Sequence, residues 1–245
     1  MRLIREGNVV QLTYLPLLFP VNCYLVEEED ELTLIDAALP NNVGAIMKAA
    51  EFVGKPITRI VLTHAHNDHV GALDGLKERL PNATVYISER DARLLRGDKS
   101  LSKEESNYPI RGGIPANVKT EPDVFLKDNV KIGSLRAIAA PGHTPGSMAF
   151  LDERSGHLFA GDAFQTRGGI AVAGQMRLSF PFPSLATWNR EVSLASARKL
   201  AHLKPNVLAV GHGKMLSRPE NAIQEAIRLA EQHLTRKGTT NNHVT

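Results

Sequence analysis

The sequence holds a single cysteine, Cys23, among 245 residues, which excludes an intramolecular disulfide and leaves a reducing compartment open. No stretch approaches the roughly 20 apolar residues that a membrane-spanning helix needs. The first residues, Met1-Arg2-Leu3-Ile4-Arg5-Glu6-Gly7, offer no apolar core of a signal peptide, and the later run 12–19 is short and interrupted by Pro16. The expectation is a cytoplasmic chain with no membrane partner. Charge of one sign is scarce as well. Twenty-nine basic residues stand against 26 acidic ones, a formal +3, with no block of like charges. Nucleic acid therefore lacks an electrostatic footprint here, and a small molecule is the expected partner. Oligomeric state has no signature in the sequence.

What is present is a large apolar fraction, 42%, enough to bury a sizeable core as one domain over residues 1–245 with a polar tail at 238–245. Apolar alternation predicts strands around 9–14 and 23–26, joined by a proline-containing turn at 16–20, and a third at 32–35 ending in Asp36. A helical pattern at 43–52 and a buried strand at 59–62 follow. A second cycle predicts helix 73–79, strand 84–87 and helix 89–95, before a polar segment at 97–123 without periodicity that is long enough to be a functional loop. The remainder predicts strands at 134–139, 148–151 and 158–160, a helix at 185–203, a strand at 207–210 and a final helix at 219–233. Two halves of strands with outer helices imply an α/β protein built from two sheets packed face to face between helical layers.

Chemistry concentrates just beyond the buried strand, in Thr63-His64-Ala65-His66-Asn67-Asp68-His69-Val70-Gly71. His64 and His66 are two apart, a spacing that separates side chains on a helix but lets a bent loop converge them on one ion. Imidazole nitrogen and carboxylate oxygen are the donors that borderline divalent metals accept. Three further candidates follow short strands and sit beside glycine: His143 in Pro141-Gly142-His143-Thr144-Pro145-Gly146-Ser147, Asp162 in Ala160-Gly161-Asp162, and His212 in Gly211-His212-Gly213. Glycine lets the backbone turn sharply at a strand end and frees space for an inward side chain. Each alone is an ordinary turn residue; in this order they form a pattern.

That pattern, HxHxDH followed by His in a PGHT-type turn, GD and GHG, resembles the metallo-β-lactamase-fold hydrolase superfamily over nearly the whole chain. The resemblance implies a four-layer αββα sandwich with the metals at one edge between the sheets. It also implies that His64, His66 and His143 ligate a first metal, that Asp68, His69 and His212 ligate a second, and that Asp162 bridges them. Asp36 matches the family's first motif, an aspartate that supports the site from behind without ligating. An all-nitrogen and oxygen set makes zinc, two ions per chain, the expected cofactor, with iron or manganese also compatible. Two such ions generate a bridging hydroxide near neutral pH, so the expected reaction is hydrolysis of an ester, lactone or thioester-type bond, with Asp68 also orienting the hydroxide.

The walls are less legible. In this fold the turn of the first strand pair overhangs the metals, and Leu17, Leu18 and Phe19 would form an apolar lip there. Within 165–182, Arg167 is a candidate partner for a carboxylate or phosphate. Subfamily comparisons exclude more than they select: only 33 residues follow His212 in the 245-residue chain, too few for the helical domain of a glyoxalase II. Acyl-homoserine lactonases place a tyrosine where this chain has Gln165. A mononuclear iron enzyme resembling persulfide dioxygenases, and a non-catalytic binding module on the same fold, are the competing readings.

Overall fold

The computed structural model describes residues 1–241, with side chains described through residue 235; residues 242–245 of the expected polar tail lie outside the described residues. A first sheet runs in chain order through β1 (Arg2–Glu6), β2 (Val9–Tyr14), β3 (Val21–Glu27), β4 (Leu32–Ile35), β5 (Ile57–Val61), β6 (Thr84–Ser88) and β7 (Val124–Leu126). The strands up to β4 are antiparallel neighbours, whereas β4 through β7 run parallel. The helices α1 (Val43–Val53), α2 (Asn67–Val70), α3 (Leu73–Arg79) and α4 (Glu89–Leu95) fall between the parallel strands. The second half supplies β8 (Lys131–Ile132), β9 (Leu135–Ala139), β10 (Met148–Asp152), β11 (His157–Phe159), the short pair β12 (Phe164–Gln165) and β13 (Ala171–Val172), β14 (Val207–Ala209) and β15 (Leu216–Ser217). Its six-stranded sheet has the order β15-β14-β11-β10-β9-β8. The helices α5 (Phe182–Ala186), α6 (Arg190–Ala201) and α7 (Glu220–Asn241) complete the chain.

Period-two alternation explains the layers. Along β3, Val21, Cys23 and Leu25 join one apolar cluster with Ile46, Leu73, Leu76 and Leu94 of the helices, while Tyr24 and Val26 face the other way. Those two meet Phe150, Phe159 and Ala209 of the second sheet in a core between the sheets. The opposite faces of the same strands, with Ala149, Leu158 and Leu208, pack against Leu194, Leu200, Ile223 and Ile227 of α6 and α7. The order is helix, sheet, sheet, helix, the four-layer αββα sandwich of the metallo-β-lactamase type that the sequence pattern implied.

Local chemistry decides where elements stop. α1 ends at Gly54, whose φ of 82° takes the left-handed cap that other residues resist. The helix expected over 185–203 is instead two, because the Asn189 side chain accepts from the N–H groups of Glu191 and Val192 and starts α6 afresh. The edge strand β1 has an alternating half-exposed pattern and was absent from the sequence reading, as were the short β7, β8, β12, β13 and β15. No helix among the described residues is long and apolar enough to cross a membrane.

What positions the site is strand direction. β9 and β11 each run antiparallel to β10, and β11 runs parallel to β14, so the chain leaves β9, β11 and β14 at one edge. The parallel strands β4 and β5 end at the same place: Met148 N–H donates to the Thr63 carbonyl at 2.8 Å and Asn22 N–H to the Gly211 carbonyl at 2.9 Å, tying the two sheets together there.

Candidate metal centre

Five strand ends deliver the candidate side chains to that edge. Asp36 follows β4, His64 follows β5, His143 lies in the turn after β9, Asp162 follows β11 and His212 follows β14. His64, His66, His69, His143, Asp162 and His212 are all buried, and Asp68 is partly exposed. Three overlapping groups have donor atoms within 4.8 Å of one another and can hold a metal ion: His64, His66 and His143; His64, His69 and Asp162; Asp68, His69 and His212.

Hydrogen bonds assign the imidazole tautomers. The Pro20 carbonyl only accepts, so His212 Nδ1 donates to it at 2.7 Å; likewise His66 Nε2 donates to the Arg111 carbonyl at 3.0 Å. His69 Nδ1 donates to the Asp36 carboxylate at 2.8 Å. The Thr187 hydroxyl spends its hydrogen on the Pro183 carbonyl and accepts from His143 Nδ1 at 3.1 Å. The Thr63 hydroxyl does the same, donating to Asp36 and accepting from His64 Nδ1 at 3.0 Å. Each of these five imidazoles therefore points its remaining nitrogen, a lone pair whenever the ring is neutral, into the shared space.

Lone pairs facing one another repel, and here they are close. His66 Nδ1 lies 3.1 Å from His64 Nε2 and 3.0 Å from His143 Nε2. Two nitrogens bound to one tetrahedral zinc at about 2.0–2.1 Å would stand about 3.3 Å apart. Asp162 Oδ2 lies 3.1 Å from His212 Nε2 and 3.4 Å from His143 Nε2, while its Oδ1 lies 3.5 Å from His69 Nε2. That Oδ1 and His69 Nε2 are buried atoms without hydrogen-bond partners. Asp68 Oδ2 lies 3.4 Å from His212 Nε2. The donor set, its lone-pair directions and its orphaned atoms all fit divalent cations.

Electrostatics agrees. Burial lowers His64, His66 and His143, the last to about 3, so these three are neutral imidazoles at pH 7. Burial acts the same way on His69, but the carboxylates of Asp36, Asp162 and Asp68 outweigh it and raise that group to about 10, so without an ion its second nitrogen holds a proton that a cation would displace. His212 is raised against its burial by Asp162 and Asp68. Despite burial, the surrounding imidazoles hold Asp162 well below the usual carboxylate range, and Asp68 is lowered too. One side of the centre is neutral imidazole and the other strongly negative.

Asp36 sits behind this array. A left-handed backbone, φ 60°, turns its side chain back, and its two oxygens take the Thr63 N–H, the Thr63 hydroxyl and His69 Nδ1. A second carboxylate, Asp91, escaped the sequence reading. It is fully buried on α4 and accepts from Ala65 N–H (3.0 Å), the Thr144 hydroxyl (2.7 Å) and Gly146 N–H (2.8 Å), lashing the HxH loop to the His143 turn. Its signal was available: an aspartate three and four residues before Leu94 and Leu95 shares their apolar face. Burial raises it to about 6.

A cavity of about 400 Å³ opens onto the centre, with His66, Asp68, His143, Asp162 and His212 in its floor. Its walls include Phe19, Leu39, Phe182 and Leu185, together with Gly112 and Gly113 of the long loop at 97–123. Phe19 packs edge-on against His212 and Phe182, with centroids 5.3 and 5.0 Å away. The rest of the expected wall is displaced. Leu17 and Leu18 are 84% and 80% exposed and do not line the cavity, because the N–H groups of Leu18 and Phe19 both fold back onto the Leu15 carbonyl, a tight turn that aims only Phe19 inward. Arg167 points away as well: it donates to the Leu17 carbonyl and lines a separate cavity on the far side of the lip. Gln165 is buried and faces the Phe180 carbonyl.

Comparison with known proteins closes the case. The chain is 56% identical over 232 residues to protein YobT of Bacillus subtilis (strain 168), covering 95% of this chain and 100% of that one. It is 32% identical over 148 residues to a hydroxyacylglutathione hydrolase of Gloeobacter violaceus (strain ATCC 29082 / PCC 7421), covering 59% of this chain and half of that one. The crystal structure of TTHA1623 in a di-iron-bound form superposes with a TM-score of 0.63 at 27% identity, covering 86% of this chain and 96% of that one. The model of the metallo-beta-lactamase superfamily matches residues 17–212, a span that begins at the lip and ends on His212. That match, the αββα layers and the clustered histidines together mean that the chain belongs to the metallo-beta-lactamase superfamily.

Proposed function

We propose that the chain is a dinuclear metal-dependent hydrolase acting on an ester, lactone or thioester with an uncharged, apolar acyl part. One observation carries this reading: five imidazoles, each with one nitrogen tied to a protein acceptor, turn the other toward a space shared with Asp68 and Asp162. In this reading His64, His66 and His143 would hold one ion, Asp68, His69 and His212 would hold the other, and Asp162 would serve both. When bound, a pair of divalent ions supplies hydroxide at neutral pH and polarises a carbonyl oxygen. Zinc suits the all-nitrogen and oxygen set; iron and manganese suit it as well, and the di-iron form of TTHA1623 is a precedent for iron.

The chain's own residues supply the rest. Phe19, Phe182 and Leu185 exclude water and hold an apolar group against the floor. Among the described residues no lysine or arginine lines the cavity, so its walls offer a substrate carboxylate no side-chain partner, which favours an uncharged group against them. Asp68 is the partly exposed carboxylate of the centre, placed to take a proton from an attacking water. The similarity to the hydroxyacylglutathione hydrolase of Gloeobacter violaceus supports an acyl substrate as a class.

The test is a panel of lactones, thioesters, phosphodiesters and β-lactams, run with and without chelator, beside metal analysis of protein purified without added metal. The expected result is turnover of neutral esters, lactones or thioesters that chelation abolishes and zinc restores, with His66→Ala and Asp68→Ala folded but lower by orders of magnitude. Wild-type turnover in either variant overturns the proposal, as does one iron per chain together with oxygen uptake on glutathione persulfide.

A further inference from the structure

The cavity that claims Arg167 has no part in the proposed reaction. It measures about 470 Å³ and lies on the opposite side of the lip from the metal centre: Phe19 lines one cavity, Pro16 and Pro20 the other. Arg2, Arg167 and Lys214 all line it, and among the described residues no acidic one does. Elsewhere arginines and lysines commonly find carboxylates, as in the pairs of Arg90 with Glu105 and Arg198 with Glu231. Among the described residues none of these three makes an ion pair. Arg2 Nε is in addition a buried donor without a hydrogen-bond partner. Three cations around one cavity repel, and a buried donor without a partner is costly, so the arrangement asks for an anion.

The remaining wall is apolar. Ile170, Met215 and Leu216 form it, each partly buried. We propose that this cavity is a second ligand site for an amphiphilic anion, a carboxylate carrying an apolar chain, with Arg2, Arg167 and Lys214 around the head group and Ile170, Met215 and Leu216 against the chain. Guanidinium forks match a carboxylate in two-point fashion, which lysine alone does not.

The site backs onto the metal centre. Pro20, which lines it, accepts the proton of His212 Nδ1 through its carbonyl, and the N–H groups of Thr166 and Arg167 both donate to the His212 carbonyl, at 3.0 and 3.2 Å. An occupant therefore touches the residues that grip one candidate ligand from behind. It is a binding site independent of what the centre hydrolyses.

The experiment is calorimetric titration of octanoate into the metal-loaded protein, its Arg2→Gln, Arg2→Lys and Arg167→Gln variants, with 1-octanol and inorganic phosphate as separate probes. Octanoate should bind the wild type, and each glutamine variant should weaken it at least about tenfold, the loss expected for removing a charged hydrogen-bond partner. Arg2→Lys should keep part of the affinity, and octanol and phosphate should each bind more weakly than octanoate. Undiminished octanoate binding in both glutamine variants would place it elsewhere, at the metals for example, and overturn the proposal. So would no binding at all, and phosphate binding as tightly as octanoate would reject the amphiphilic class.

Discussion

Gly112→Ala tests whether the long loop is part of the metal centre. Gly112 has φ 87°, and a methyl group built on it falls 2.3 Å from His66 Nε2 and 2.6 Å from Cε1. Carbon contacts prefer about 3.5–4.0 Å, so the ring or the loop must move. In chelator-treated protein the imidazole is free to swing away. The cost is then the left-handed strain of an L-residue, about 1–2 kcal/mol, plus the bond to the Arg111 carbonyl, about 1 kcal/mol. If His66 ligates an ion as proposed, the same swing breaks that bond, and metal affinity should fall about 10–100-fold, the range seen when a ligand's supporting contact is lost. Gly113→Ala is the control. Its methyl group would meet the flexible Asn67 Nδ2 at 3.3 Å, with no left-handed φ, so both quantities should hardly change. Urea unfolding of chelator-treated protein reads the first cost, and competition with a chromophoric chelator reads the second. Metal affinity in Gly112→Ala within twofold of wild type would refute the idea that this glycine leaves room for a fixed His66.

Three further outcomes follow from named contacts. Asp36→Asn removes the charge that His69 Nδ1 and the Thr63 hydroxyl both point at, so metal affinity should fall about 10–100-fold with the fold intact by circular dichroism; unchanged affinity would make Asp36 a turn former only. Phe19→Ala should raise KM for long acyl chains more than for short ones, flattening a chain-length gain of at most about 0.8 kcal/mol per methylene; a loss independent of chain length would place the ring's role in the fold. Asp91 has its folded value raised from 3.8 to about 6, so the stability it contributes is full below about pH 4 and is lost as pH rises through 6. Relative to Asp91→Asn, the wild type should therefore gain about 2 kcal/mol on acidification from pH 7 to 4, measured by urea midpoints in metal-free buffer, and a constant difference would refute it.

The sequence made the layers and the floor of the site legible because each has a periodic or compositional cause. Two-residue alternation marks strands such as β2 and β3, which bury both faces, and glycine beside His143, Asp162 and His212 marks strand ends that turn sharply. Edge elements carried no such cause. β1 is half exposed, and β7, β8, β12 and β15 are only two or three residues long, too short for a period to register. The lip failed for a different reason: Leu17, Leu18 and Phe19 are alike in hydrophobicity, and only the two N–H groups returning to the Leu15 carbonyl decide which of them faces the metals.

The same limit explains why ligand candidates were readable and their partners were not. A ligand must be histidine or a carboxylate, so residue type exposes it. The groups that orient it need only accept a hydrogen bond, and any backbone carbonyl does that. Arg111 and Pro20 serve His66 and His212 through their carbonyls, from positions 45 and 192 residues removed. Asp91 and Thr187 act across 26 and 44 residues, on Ala65 and His143. The centre is thus assembled from both halves of the chain twice over, once by the donors and once by what holds them. Loss of a single carbonyl contact should therefore disturb metal binding while leaving every ligand in the sequence untouched.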